Sequence, residues 1–108
     1  MVKQGDIVIV DFDPALGNEQ KGKRPGLIVS NNTYHLKTNG FVIVVPITKT
    51  KTRSYPLHID LDDRTNTEGQ IMCEQLKTMD TKARNLKTVE QLPADLLDKT
   101  LKIIHLLF

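Results

Sequence analysis

The chain has 108 residues, 39% of them hydrophobic and 26% charged, with a net charge of +2. That length supports one domain over 1–108 with one modest core, and so small a net charge excludes a broadly basic nucleic-acid binder, leaving basic surface to local clustering. The lone cysteine, Cys73, excludes an internal disulfide and suits a reducing compartment, and no apolar run approaches the ~20 residues of a membrane span.

Met1 to Asp6 lacks a signal-peptide core, so the cytoplasm is the expected location. Ile7 to Phe12 is β-branched and bounded by Gly5-Asp6 and Asp13-Pro14, which predicts a strand. Residues 13 to 25 hold Pro14, Gly17, Gly22 and Pro25 and predict a long loop of the kind that often carries function. Gly26 to Ser30 predicts a second strand. A turn segment from Asn31, with room for one helical turn, runs to Asn39-Gly40. Phe41 to Val45 is continuously apolar and predicts a central strand buried on both faces, with Pro46 marking its exit.

Lys49 to Tyr55 reads as a polar loop. Pro56 to Leu61 alternates with period two, predicting a strand with one wet face and His58 pointing outward. Asp62 to Gly69 is a polar turn, and Gln70 to Gln75 predicts another strand. Lys77 to Ala83 reads as a short turn of helix, and Leu86 to Val89 as a last short strand. Pro93 to Phe108 predicts the only long helix. Pro93 suits its first turn, and Asp95 and His105 complement its dipole. Leu96, Leu97, Leu101, Ile103, Ile104, Leu107 and Phe108 share its apolar face, while Leu106 falls on the polar side. The whole pattern is mainly β with one C-terminal helix, and points to a small antiparallel barrel or strongly curved sheet.

The chemistry concentrates in two places. Glu19-Gln20-Lys21-Gly22-Lys23-Arg24-Pro25 sets an acid and a permanent cation on a short stretch. Pro46-Ile47-Thr48 sets a hydroxyl past the long apolar run. An acid, a guanidinium and a hydroxyl can grip and strain a phosphodiester without a metal. Lys49, Lys51 and Arg53 alternate after Thr48, and Tyr55 follows; cations for phosphates and a ring for a base make a single-strand groove. Lys77 and Arg84 extend the basic track, Gln75 is a further candidate RNA contact, and Asn18, Gln20, Thr50 and Thr52 are polar groups suited to reading bases. No metal site or cofactor is expected: His35, His58 and His105 lie far apart, and Asp60, Asp62 and Asp63 lack the rest of a calcium loop.

Gly5-Asp6-Ile7, Asp11-Phe12-Asp13-Pro14 and Gly17-x-Glu19-Gln20-x-Gly22-x-Arg24-Pro25 together resemble the N-terminal half of the MazF/PemK (Kid) toxins. Pro46-Ile47-Thr48, Tyr55-Pro56, Glu74 to Asp80 and Arg84 fit the remaining landmarks in order. The resemblance implies an SH3-like β-barrel of the CcdB/Kid/MazF type, acting as a homodimer. It also implies metal-independent, sequence-specific cleavage of single-stranded RNA by 2′-OH attack, leaving 2′,3′-cyclic phosphate and 5′-OH ends. A cognate MazE/PemI-like antitoxin would silence it. Arg24 and Thr48 match the family's catalytic Arg and Thr. Glu19 is the favoured base, Glu74 the second candidate and His58 the third. Two other readings stand beside this one: a non-catalytic CcdB-like gyrase poison, and an SH3-like nucleic-acid or peptide adaptor.

Overall fold

A computed structural model describes residues 1–13, 17, 22–49 and 56–108. Strands β1 (Asp6–Asp11), β2 (Lys23–Ile28) and β3 (Phe41–Thr48) form an antiparallel meander, interrupted by the short helix α1 (Asn32–Lys37). Then come β4 (His58–Asp60), β5 (Gln70–Met72), β6 (Lys77–Asp80), β7 (Lys87–Gln91) and the helix α2 (Ala94–Leu107). The strand order is β4-β5-β3-β2-β1-β7, with β6 also on β3. Among the described residues this path is open, so the expected barrel is a curled antiparallel sheet rather than one closed by hydrogen bonds.

Every pairing is antiparallel, and β3 organises the sheet. One of its edges takes β2. The other takes β6 along Phe41 to Val44 and then β5 along Ile47 and Thr48. Alternate residues therefore enter two separate cores. Ile7, Leu27, Val45, Ile47 and Ile71 pack with Leu96 and Ile104 of α2. Val8, Val10, Phe12, Ile28, Val42, Val44 and Met79 fill the opposite face. This is why β3 reads as an unbroken apolar run: both its faces are covered.

The structure corrects several expected boundaries. β2 starts at Lys23, so Arg24 and Pro25 lie in a strand, paired with Val10 and Ile9, and not in the loop. β3 runs through Pro46 to Thr48. Pro46 stands where the outer partner of β3 changes from β6 to β5, a break in that ladder where a missing N–H is tolerated. Lys77 to Asp80 is strand β6 rather than helix, because pairing with Phe41 to Val44 overrides its local preference. His58 is not an outward residue: its side chain is only 7% exposed.

The apolar stripe of α2 is only partly covered. Leu96 and Ile104 are buried, and Leu97, Leu101 and Ile103 pack against the same core. The last turn leaves the sheet, so Leu106, Leu107 and Phe108 are exposed. Among the described residues no helix is long and apolar enough to cross a membrane.

The turn between β4 and β5 is clamped from two sides. Arg64 bridges Asp62 and Asp95 of α2, holding both carboxyls below their usual range. Glu90 of β7 accepts from the Thr67 hydroxyl at 2.7 Å and from the backbone N–H groups of Asn66 and Thr67 at 3.0 and 2.8 Å. Burial pushes the Glu90 carboxyl up, but the three donors outweigh it, and the carboxyl ends below its usual range. A carboxyl lowered by folding adds stability above its unfolded value, about 4.3, and loses that contribution as pH falls through the folded value. Glu90→Gln is therefore expected to weaken the fold at pH 7. The gap to wild type should narrow as the pH is lowered from 7 to 3, as measured by urea unfolding at both pH values.

Candidate functional site

The positions of Arg24 and Thr48 follow from strand register. Gly26 pairs with Pro46, and following that register two residues further sets Arg24 of β2 level with Thr48 of β3. On the other edge of β3, Thr48 pairs with Gln70 of β5, and Gln70 pairs with Asp60 of β4. Paired residues in an antiparallel sheet point to the same face. Thr48, Gln70 and Asp60 therefore form a transverse polar row across three strands, and the extended β2–β3 register sets Arg24 at its end. The row lies on the face of the second core, since a side chain at Gly26 would meet Val44, Phe12 and Val10.

The middle of the row is sealed from water and its ends are not. Thr48 is 8% exposed and Gln70 4%, while Arg24 is half-buried and Asp60 exposed. A half-buried guanidinium at the level of a buried hydroxyl suits an anion, because together they offer a fork of N–H donors and one O–H donor near a partly dry surface.

Gly69 fixes the backbone of Thr48. Its φ is +123°, and a Cβ there would lie 1.9 Å from the Thr48 carbonyl oxygen. Only glycine allows this approach.

Behind the row lies a second polar group. Gln70 Nε2 donates to Asp60 Oδ1 at 2.8 Å, and Gln70 Oε1 lies 3.2 Å from His58 Nδ1. His58 Nε2 lies 3.1 and 3.2 Å from the two oxygens of Glu74. Glu74 follows β5 in a turn closed by the bond from the Gln75 N–H to the Met72 carbonyl at 3.1 Å. Its neighbour Cys73 is fully buried, and burial first, then the Glu74 charge, pushes its thiol up to about 12, which makes it a packing residue rather than a nucleophile.

Lys77 and Arg84 hold the start of the segment that follows β1. Lys77 Nζ donates to the Phe12 carbonyl at 3.2 Å, and Arg84 donates to the carbonyls of Asp11 and Asp13. Asp13 in turn accepts from the Gly22 N–H at 3.0 Å, and Gly22 accepts from the Phe12 N–H. Two residues predicted to contact RNA thus brace the end of β1, to which Gly22 is itself bonded. Lys49 is exposed directly after Thr48, and Gln75 is half-buried. Asn18, Glu19, Gln20, Thr50, Lys51, Thr52, Arg53 and Tyr55 lie outside the described residues. Sequence reasoning missed Gln70 and Asp60. Their signal was the period-two alternation of two strands whose pairing partners were not visible.

This arrangement can be set against known proteins. The family profile described as PemK-like, MazF-like toxin of type II toxin–antitoxin system matches residues 3–108. The chain belongs to that family. It is 33% identical to Endoribonuclease PemK of Escherichia coli over 104 residues, 93% of this chain and 77% of that protein. It superposes on MazF from Deinococcus radiodurans with a TM-score of 0.87 at 25% identity, covering 98% of this chain and 94% of the other. A MazE–MazF structure from the same organism gives a TM-score of 0.81, with the same identity and coverage. Membership sets aside the gyrase-poison and adaptor readings.

Gly69→Ala is expected to cost roughly 1–3 kcal/mol from backbone strain alone, with the collision against the Thr48 carbonyl adding to it. Thermal unfolding should show the loss, and RNA cleavage should fall further than the unfolded fraction accounts for.

Proposed function

We propose that this toxin is a metal-independent endoribonuclease that cuts single-stranded RNA, acts as a homodimer in the cytoplasm, and is neutralised by a cognate MazE/PemI-like antitoxin. The observation that carries the reading is the β2–β3 register, which, extended two residues past Gly26 and Pro46, sets Arg24 level with Thr48. The endoribonuclease activity of the PemK relative and the MazE–MazF assembly of the structural neighbour support it.

The reaction needs only the RNA's own 2′-OH as nucleophile. A base removes its proton, the oxygen attacks the adjacent phosphorus, and the 5′ oxygen leaves with a proton of its own. DNA lacks the 2′-OH, so the route selects RNA. Arg24 grips two phosphate oxygens and stabilises the charge that grows on them in the phosphorane. Thr48 donates its hydroxyl to the same group and fixes its orientation. Glu19, on the segment leading to Arg24, is the base we favour, with Glu74 the second candidate. Lys49, Lys51, Arg53, Lys77 and Arg84 attract the backbone, and Tyr55 stacks a base. Asn18, Gln20, Thr50 and Thr52 read sequence, and Gln75 is a further RNA contact.

Incubating the protein with a long RNA in EDTA and mapping the ends tests this directly. The expected result is discrete cuts with 5′-hydroxyl and cyclic-phosphate ends. Arg24→Ala is expected to lower kcat about 10²–10³-fold, the usual effect of removing one charge-stabilising donor. Thr48→Ala should lower kcat more than it raises KM. Intact RNA with the wild-type protein overturns the reading.

A further inference from the structure

Arg24 follows Gly22 by two residues, and Gly22 has little conformational preference of its own. It holds a φ of +73°, and a Cβ there would meet nothing within 4 Å, so the backbone requires glycine while packing does not fix it. The approach to β2 must be held by other means. We infer that Asp13 and Arg84 are positioning residues for Arg24, forming a clasp that locks the entry to β2. The inference rests on the endoribonuclease reading above.

The clasp engages both polar groups of the Gly22 backbone. The Gly22 N–H donates to Asp13 Oδ1 at 3.0 Å, and the Gly22 carbonyl accepts from the Phe12 N–H at 3.0 Å. The Asp13 N–H donates to Asp11 Oδ1 at 2.9 Å, and the Asp13 carbonyl accepts from Arg84 Nη1 at 2.9 Å. The same Nη1 donates to the Asp11 carbonyl, and Lys77 Nζ donates to the Phe12 carbonyl at 3.2 Å. Three consecutive carbonyls at the exit of β1 are thus held by cations. Hydrogen bonds with a charged partner are stronger than neutral ones, so the exit of β1 is held firmly and the Asp13 carboxylate stays aimed at Gly22.

Arg24 depends on this end of β1. The β2–β3 ladder stops at Gly26 and Pro46, two residues short of Arg24, whereas the β1–β2 ladder runs on through Val10 with Arg24 to Asp11 with Lys23. Arg84 is anchored on another part of the sheet. The N–H groups of Arg84 and Ala83 donate to the Asp80 carbonyl at 3.0 and 3.2 Å, closing the turn after β6. β6 pairs with β3, and among the described residues no ladder joins it to β1. The clasp therefore ties the strand that carries Thr48, by way of β6, to the strand end that sets Arg24. A misplacement of about 1 Å in such a group can cost about 10²-fold in rate.

Kinetics on an RNA with one cut site test this. Arg84→Met and Asp13→Ala are each expected to lower kcat about 10-fold or more, with KM changed less than about 2-fold. Arg84→Lys, which keeps a charged donor, should recover most of the rate. Asp13→Ala separates positioning from charge, because removing a carboxylate favours RNA binding electrostatically. If Asp13→Ala cleaves at the wild-type rate, the assignment fails. It also fails if Arg84→Met raises KM and flattens its salt dependence with kcat unchanged, the mark of a phosphate contact. Amide hydrogen exchange followed by NMR gives a readout independent of activity. In both variants the Gly22 amide should exchange at least about 10-fold faster, and its acceleration should exceed that of Val44 in the core. Unchanged exchange at Gly22, or equal acceleration at both, overturns the clasp. If the wild type leaves the RNA whole, the nuclease reading fails, while exchange at Gly22 still decides the clasp.

Discussion

The pairing of β3 is the constraint on which the rest depends. One strand holds β2 along one edge and divides its other edge between β6 and β5. That division lets the sheet curl, and it brings four distant segments level at the end of β3. A hydroxyl from β3, an amide from β5 and a carboxylate from β4 come into one row, with a guanidinium from β2 set at its end by the extended register. The row is rigid because each member belongs to a strand, and a site built on strands holds its geometry better than one built on loops. Rigidity matters here because stabilising a phosphorane depends on donors already aimed at it.

The same constraint explains the strictness of the supporting residues. Gly69 has no side chain because the Thr48 carbonyl occupies the space. Glu90 and Arg64 clamp the turn that delivers Gly69 and Gln70, tying it to β7 and α2. Lys77 and Arg84 reach back from β6 and the turn after it to the carbonyls that close β1. The site is thus supported by both ends of the chain: α2 packs the first core under β3, and the second core fills the face on which the polar row sits.

Much of this was legible in the sequence, for physical reasons that can be named. β1 and β3 announce themselves because continuous β-branched runs have few other stable solutions. α2 does so because its apolar residues repeat at helical spacing. Arg24 and Thr48 stood out through the motif around them. β6 was misread as helix because four residues carry little periodicity, and only its pairing with β3 makes it a strand. Pro46 was misread as an exit because the tolerance of a strand for proline depends on which neighbour it faces. His58 was misplaced as outward because two-state alternation does not say which face is wet. Gln70 and Asp60 were invisible as site residues because their importance comes from register across strands, which no single segment contains.

The central claim is that one phosphate of the RNA is held by Arg24 and Thr48 together. The most direct measurement is a crystal structure with an RNA that carries 2′-deoxyribose at the cut site, so that the nucleophile is missing and the strand stays whole. The account predicts a single phosphate with its oxygens within hydrogen-bond distance of both the Arg24 guanidinium and the Thr48 hydroxyl. An RNA whose scissile phosphate lies elsewhere, or which engages the two side chains through different phosphates, would contradict it.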